Sequence, residues 1–131
     1  MKQPPADICR EAMDIGGPAL VFAAAKSNRV GVVMDPADYP RVAKALQGGK
    51  KLPENLRREL ILKAVLNTAA YQVAIANWHV DQAKAQYPEV LLLSLTRARK
   101  PRYGENPHQS AALYRWLSKL EGANTRKLVL T

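Results

Sequence analysis

With 131 residues, 47% of them apolar and 24% charged, the chain has material for one modest core and too little for two full domains. No stretch approaches the roughly 18 uninterrupted apolar residues of a membrane-spanning helix, and the start of the chain, with Pro4 and Pro5 and no apolar run, does not read as a secretory signal. The formal net charge of +9 is unevenly placed: residues 95–131 carry eight Lys/Arg against two Glu, whereas residues 1–94 carry twelve against nine.

Residues 7–13 read as a short helix, because Ile8, Cys9, Ala12 and Met13 recur at helical spacing. Cys9 is the single cysteine, so no internal disulfide forms, which fits a reducing compartment and the cytoplasm. Asp14-Ile15-Gly16-Gly17-Pro18 then interrupts the pattern. A glycine pair before proline predicts a tight turn that opens a helix at Pro18, where a missing N–H costs nothing. Residues 19–27 are small and apolar on nearly every side, which predicts a buried helix ending near Ser27-Asn28.

Residues 29–34 hold Val30, Val32 and Val33, a β-branched run expected to form a buried strand. Asp35-Pro36-Ala37-Asp38 predicts a turn and helix start in which Asp35 or Asp38 caps orphan N–H groups. Residues 39–47 follow as a helix stopped by Gly48-Gly49. Helix, strand and helix in that order indicate a piece of an open α/β layer structure.

Residues 53–86 form the longest periodic stretch, with an apolar stripe running from Leu56 and Leu60 through Ala64 and Val73 to Val80. A break is conceivable at Asn67-Thr68, although no proline requires one. Glu54 with Arg58 and Glu59 with Lys63 are i,i+4 pairs of favourable polarity. A single helix over this range would span about 50 Å, more than the preceding elements can cover, so another chain or further sequence is expected against it. Tyr87-Pro88 is expected to end the helix, and residues 90–95 to form a strand. Residues 96–107 read as loop, residues 111–120 as a short helix or strand, and residues 127–131 as the start of another strand.

Within the predicted loop lies Arg102-Tyr103-Gly104-Glu105-Asn106-Pro107-His108-Gln109, where a guanidinium and a phenol flank a turn that forbids helix. Such a set suits an anion such as a phosphate. Arg97, Arg99, Lys100 and Arg102 together suit nucleic acid, a phosphorylated metabolite or an acidic surface, or else a solvated linker. No aromatic stacking platform accompanies them. The sequence shows no metal-ligand cluster and no glycine-rich phosphate loop.

Three ordered segments, Asp14-Ile15-Gly16-Gly17-Pro18-Ala19-Leu20 with Ala23-Ala24-Ala25-Lys26, Val32-Val33-Met34-Asp35-Pro36-Ala37-Asp38-Tyr39, and the run from Arg102 to Gln109, resemble a known family. Asn67-Thr68-Ala69-Ala70-Tyr71 and Ala74-Ile75-Ala76-Asn77 extend the likeness along the long helix. The family is the bifunctional purine-biosynthesis enzyme that formylates 5-aminoimidazole-4-carboxamide ribonucleotide and cyclises the product to inosine monophosphate. The resemblance implies an internal portion of that enzyme. Residues 1–96 would be the carboxyl-terminal part of the cyclohydrolase domain, an incomplete three-layer methylglyoxal-synthase-like α/β fold. Residues 97–131 would be a linker and the first segment of the transformylase domain, a cytidine-deaminase-like fold.

The same resemblance gives Asp14 and Lys26 a catalytic role in ring closure. Ile15 and Gly16 would contact the purine base through their backbone, and Arg102 and Tyr103 would hold the substrate phosphate in the transformylase site. The family uses 10-formyltetrahydrofolate as co-substrate, and no bound cofactor or metal is expected on these residues. A homodimer or a complementing chain is the implied partner, with the purine ribonucleotide as ligand and no membrane. The chain departs from the family at Phe22, where an arginine is usual, and at Ser27, which replaces an asparagine. An apolar ring in place of a guanidinium removes any bidentate anion contact. The resemblance also implies that neither site has its full set of catalytic residues on this chain, so the isolated chain is expected to be inactive, as a truncated or degenerate member or as half of a split enzyme. A basic nucleotide- or nucleic-acid-binding protein is the alternative.

Residue chemistry alone also admits quieter roles. Asp14 before Gly-Gly-Pro suits a helix cap, Lys26 suits the dipole at a helix end, and His108 suits a turn-stabilising hydrogen bond. Lys26 lies about 12 Å beyond Pro18 along a helix axis, too far for direct pairing with Asp14.

Overall fold

A computed structural model describes residues 4–27 and 29–116. They are mainly helical with one small sheet, an α/β arrangement. Two compact units, Gln3–Gln72 and Val73–Thr131, divide the chain within its longest helix.

In the first unit, α1 spans Ala6–Glu11 and α2 spans Gly16–Lys26. The second helix begins two residues before the predicted Pro18, because the Asp14 carboxylate accepts the Gly16 and Gly17 N–H groups and so starts the helix early. It is not a buried helix. Only Ala25 is enclosed, while Leu20 and Phe22 stand 73% and 55% exposed.

No strand forms at residues 29–34, contrary to expectation. A strand needs a neighbour for its N–H and C=O groups, and no described segment of the unit pairs with this one. The side chains pack nonetheless. Val32 joins Ala25 and Ala64 in the core, with Val21, Met34, Ile61 and Val65 around them. Gly31 lies so close to Leu52 that a β-carbon would sit 2.6 Å from Leu52 Cδ2.

A 3-10 turn, Pro36–Asp38, leads into α3, Tyr39–Leu46. Asp35 is the capping residue, its Oδ1 accepting the Ala37 N–H at 2.9 Å. Asp38 is buried and does something else. Its carboxylate meets Lys63 Nζ at 2.7 Å and Arg41 Nε at 2.9 Å. Lys63 Nζ also donates to Asp35 Oδ2 at 2.7 Å, and Arg41 Nη2 reaches Glu59 Oε1 at 2.7 Å. Glu54 pairs with Arg58 as expected, but Glu59 does not take Lys63. Two carboxylates from a distant turn outcompete one exposed neighbour on the helix face, and the cation goes to them.

α4 spans Glu54–Gln82 without a break. Thr68 is buried and its Oγ1 donates to the Val65 carbonyl at 2.9 Å, so the hydroxyl is satisfied inside the helix. The helix stops before the predicted Tyr87-Pro88. Lys84 adopts the left-handed conformation, φ 51°, with its N–H on Asp81 O and the Ala85 N–H on Val80 O. That pair of bonds is a Schellman end, here formed on lysine instead of glycine.

In the second unit, β1, Leu95–Arg99, pairs antiparallel with β2, Leu113–Trp116. The expected strand at 90–95 is thus displaced into the predicted loop. The Leu92 carbonyl accepts from the Asn77 side-chain amide, not from a ladder. Leu95 faces Trp116, Thr96 faces Arg115 and Arg97 faces Tyr114. A bulge at Ala98 then brings Arg99 opposite Leu113. The element expected at 111–120 falls partly, and the one expected at 127–131 wholly, outside the described residues.

Candidate functional site

The turn from α1 into α2 is built by three hydrogen bonds. Asp14 Oδ1 accepts from Gly16 N at 2.9 Å, and Asp14 Oδ2 from Gly17 N at 3.0 Å. The Asp14 N–H itself donates to Tyr71 Oη on α4 at 2.8 Å. Gly17 is required by this geometry, since a β-carbon there would lie 2.6 Å from Asp14 Oδ2 and displace the carboxylate. Both carboxylate oxygens are therefore engaged by N–H donors of the first turn of α2.

Asp14 thus fills the capping role that its chemistry suggests, and it remains exposed. Ile15 and Gly16 are exposed beside it. The Gly16 N–H is taken by Asp14, while the Ile15 N–H has no protein acceptor among the described residues. Lys26 is the last residue of α2. Ten residues of helix from Gly16 correspond to about 15 Å, and no ion pair joins Lys26 to Asp14 among the described residues. The structure therefore brings Asp14, Ile15 and Gly16 together and leaves Lys26 at the far end of the same helix.

Beside the turn, Ile15, Pro18, Ala19 and Phe22 of the α2 segment face Val65, Thr68, Ala69 and Gln72 of α4 across an open groove of about 320 Å³. Its walls are almost wholly apolar. Phe22 contributes a ring to that wall.

Arg102 and Tyr103 lie in the second unit, both exposed, on the segment that joins β1 to β2. The turn after them is self-closed: Gly104 N donates to Gln109 O at 2.8 Å, Gln109 N to Asn106 O at 3.0 Å, and Asn106 N to Gln109 Oε1 at 2.8 Å. Gln109 holds this turn; the His108 ring takes no part in these bonds. Trp78 and His79 on α4 pack edge to face, with ring centroids 4.8 Å apart. Among the described residues no cluster of three or more His, Cys, Asp or Glu is placed to hold a metal, and no helix is long and apolar enough to cross a membrane.

Sequence reasoning missed Tyr71 and Lys63. Tyr71 lies 57 residues from its partner Asp14, and Lys63 lies 28 from Asp35 and 25 from Asp38. Neither separation leaves a local signal.

Asp14→Ala should release the Gly16 and Gly17 N–H groups and destabilise the first unit by about 0.5–2 kcal/mol. Asp14→Asn, which keeps an acceptor, should cost less. Urea denaturation of the two variants side by side checks the order.

The AICARFT/IMPCHase bienzyme family matches residues 23–129. A bifunctional purine biosynthesis protein PurH from Myxococcus xanthus is 48% identical over 106 residues, 80% of this chain and 21% of that protein. The protein of the same name from Chelativorans is 46% identical over 121 residues, 91% of this chain and 22% of that one. The one from Cereibacter sphaeroides is 43% identical over 125 residues, 92% and 23% respectively. The chain spans about a fifth of the length of these curated relatives.

Proposed function

Because the chain belongs to the AICARFT/IMPCHase bienzyme family of purine biosynthesis, we propose that its first 96 residues are the carboxyl-terminal part of an inosine monophosphate cyclohydrolase domain. Residues 97–131 form the linker and first segment of the transformylase domain. In this reading the helices and the core segment at 29–34 belong to a three-layer cyclohydrolase fold, completed by segments outside these residues. The β1/β2 sheet opens the cytidine-deaminase-like fold.

The observation that supports the reading is the Asp14 turn, whose carboxylate is fixed by the Gly16 and Gly17 N–H groups on a segment that resembles the family's ring-closing residues. A carboxylate fixed at a helix start by two N–H donors is oriented, as needed to align or deprotonate the carboxamide nitrogen that attacks the formyl carbon. The neighbouring Ile15 N–H, which has no protein acceptor among the described residues, is a donor for the heterocycle. The Lys26 ammonium stabilises charge that develops on oxygen as water leaves. With Asp14 and Lys26 at opposite ends of α2, the ribonucleotide must bridge them. Arg102 and Tyr103 hold the phosphate of the carboxamide ribonucleotide for formyl transfer from 10-formyltetrahydrofolate.

These 131 residues alone do not turn over substrate in this reading, because catalytic groups that act as a unit fail together when some are missing. A homodimer or a complementing chain supplies the others. The test is direct: formylated ribonucleotide is given to the purified chain, and inosine monophosphate is followed by absorbance. No turnover without added protein is expected. Turnover at the rate of a complete cyclohydrolase would overturn the proposed dependence on further segments.

A further inference from the structure

The bonds that close the α1–α2 turn differ in reach. Those from the Asp14 carboxylate to Gly16 and Gly17 stay within four residues of chain. The third crosses the unit, from the Asp14 N–H to Tyr71 Oη at 2.8 Å over 57 residues. No other protein acceptor takes that N–H among the described residues. The local bonds fix the shape of the turn, since they move with it wherever it goes. Among the described residues, the tyrosine hydrogen bond alone ties its backbone to α4, and it does so at the residue whose carboxylate caps α2.

Tyr71 is well suited to such a task. A phenol is rigid beyond two torsions and can accept and donate at once. Its acceptor side is used by Asp14, and its O–H donates to no protein acceptor among the described residues. The ring emerges from α4 one residue before Gln72 and three after Thr68, both of which line the apolar groove next to the turn. A shift of the turn would therefore move Ile15 and Pro18 relative to the opposite wall of that groove.

We propose that Tyr71 is a positioning residue: its hydroxyl sets where the Asp14–Ile15–Gly16 backbone stands against α4, and so where the carboxylate and the Ile15 N–H meet a purine ribonucleotide. The inference rests on the cyclohydrolase reading for the identity of that ligand. It does not rest on it for the mechanical role of the bond.

The test uses Tyr71→Phe in the full 131-residue chain, which removes one oxygen and leaves the ring in place. Amide exchange followed by NMR should accelerate roughly 2- to 10-fold at Asp14, the span expected for one ordinary hydrogen bond. Leu60 and Ala64 in α4 should keep the exchange rates of the parent chain. Inosine monophosphate, titrated as the probe, should bind more weakly to the variant by a similar factor. Unchanged exchange at Asp14 would overturn the proposal, and so would equal acceleration at Asp14, Leu60 and Ala64, which marks a purely structural residue. If the parent binds the nucleotide and the variant binds it equally well, positioning is likewise refuted. If the parent binds no nucleotide while exchange rises only at the turn, the mechanical role stands and nucleotide binding by these residues alone is refuted.

Discussion

Leu60→Ala should lower the stability of the chain by about 2–5 kcal/mol, the range for emptying an enclosed leucine site. Leu60 is 1% exposed and is the one large side chain that is fully buried among the described residues. The loss combines the transfer free energy of the three carbons removed with a cavity that helix neighbours one turn away cannot fill. Against a typical total of about 5–15 kcal/mol for a domain, it is severe. The control is two residues away. Leu62 points off the packed face at 59% exposure, and Leu62→Ala should stay within about 0.5 kcal/mol of the parent. Urea midpoints of the two variants give the comparison, and equal losses would mean that α4 is packed on a different face.

Lys63→Met should also lower the melting temperature, by less than the Leu60 change, and its effect should depend on pH. The Lys63 side chain is two-fifths exposed, and its ammonium bonds both Asp35 and the buried Asp38. Its loss leaves Asp38 with Arg41 alone, while water re-solvates Asp35. The hydrogen bond from Lys63, helped by the Ala37 N–H, holds the Asp35 carboxyl below its ordinary value. The bond from Arg41 does the same for Glu59. A lowered carboxylate binds fewer protons folded than unfolded. Its contribution is complete above the ordinary range, about 4, and disappears as pH falls through the folded value. Lys63 is shifted the other way, upward, chiefly by its bond to Asp35. Its contribution is complete below the ordinary lysine value of about 10.4 and disappears as pH rises through the folded one. The gap in melting temperature between parent and Lys63→Met should thus be widest near neutrality and should narrow below pH 4. A gap that stays constant down to pH 3 would remove Asp35 from the network.

The local parts of this structure were legible in the sequence. The long helix, the turn at Asp35 and the glycine stop after α3 depend on side chains that act on their own backbone. Gly48 and Gly49, for instance, both adopt left-handed φ, 71° and 72°. Asp14 could be read as a cap for the same reason. Features decided by distant partners were not legible. Val30 to Val33 have the composition of a strand but no ladder partner among the described residues, so the segment packs without pairing. Leu95–Arg99 is rich in arginine and lacks strand-like alternation, yet β2 makes it a strand. Lys63 passes over a carboxylate four residues away for two that arrive from another turn. The site divides in the same way: the Asp14–Gly16 cluster is a local object, and its anchor on Tyr71 is not.

The smallness of the enclosed core has a calorimetric consequence. Ala25, Val32, Leu60 and Ala64 are the buried apolar residues among those described, while Leu20, Phe22, Leu62 and Leu66 are already wet in the folded state. Unfolding the chain by itself therefore hydrates little fresh hydrocarbon. Its heat-capacity increment falls below the about 12–15 cal/mol/K per residue of an ordinary globular domain. The stability curve should be correspondingly shallow, with a low unfolding enthalpy and a melting transition spread over a wide span of temperature in differential scanning calorimetry. Any protein that covers those side chains would register as a sharper, more endothermic peak.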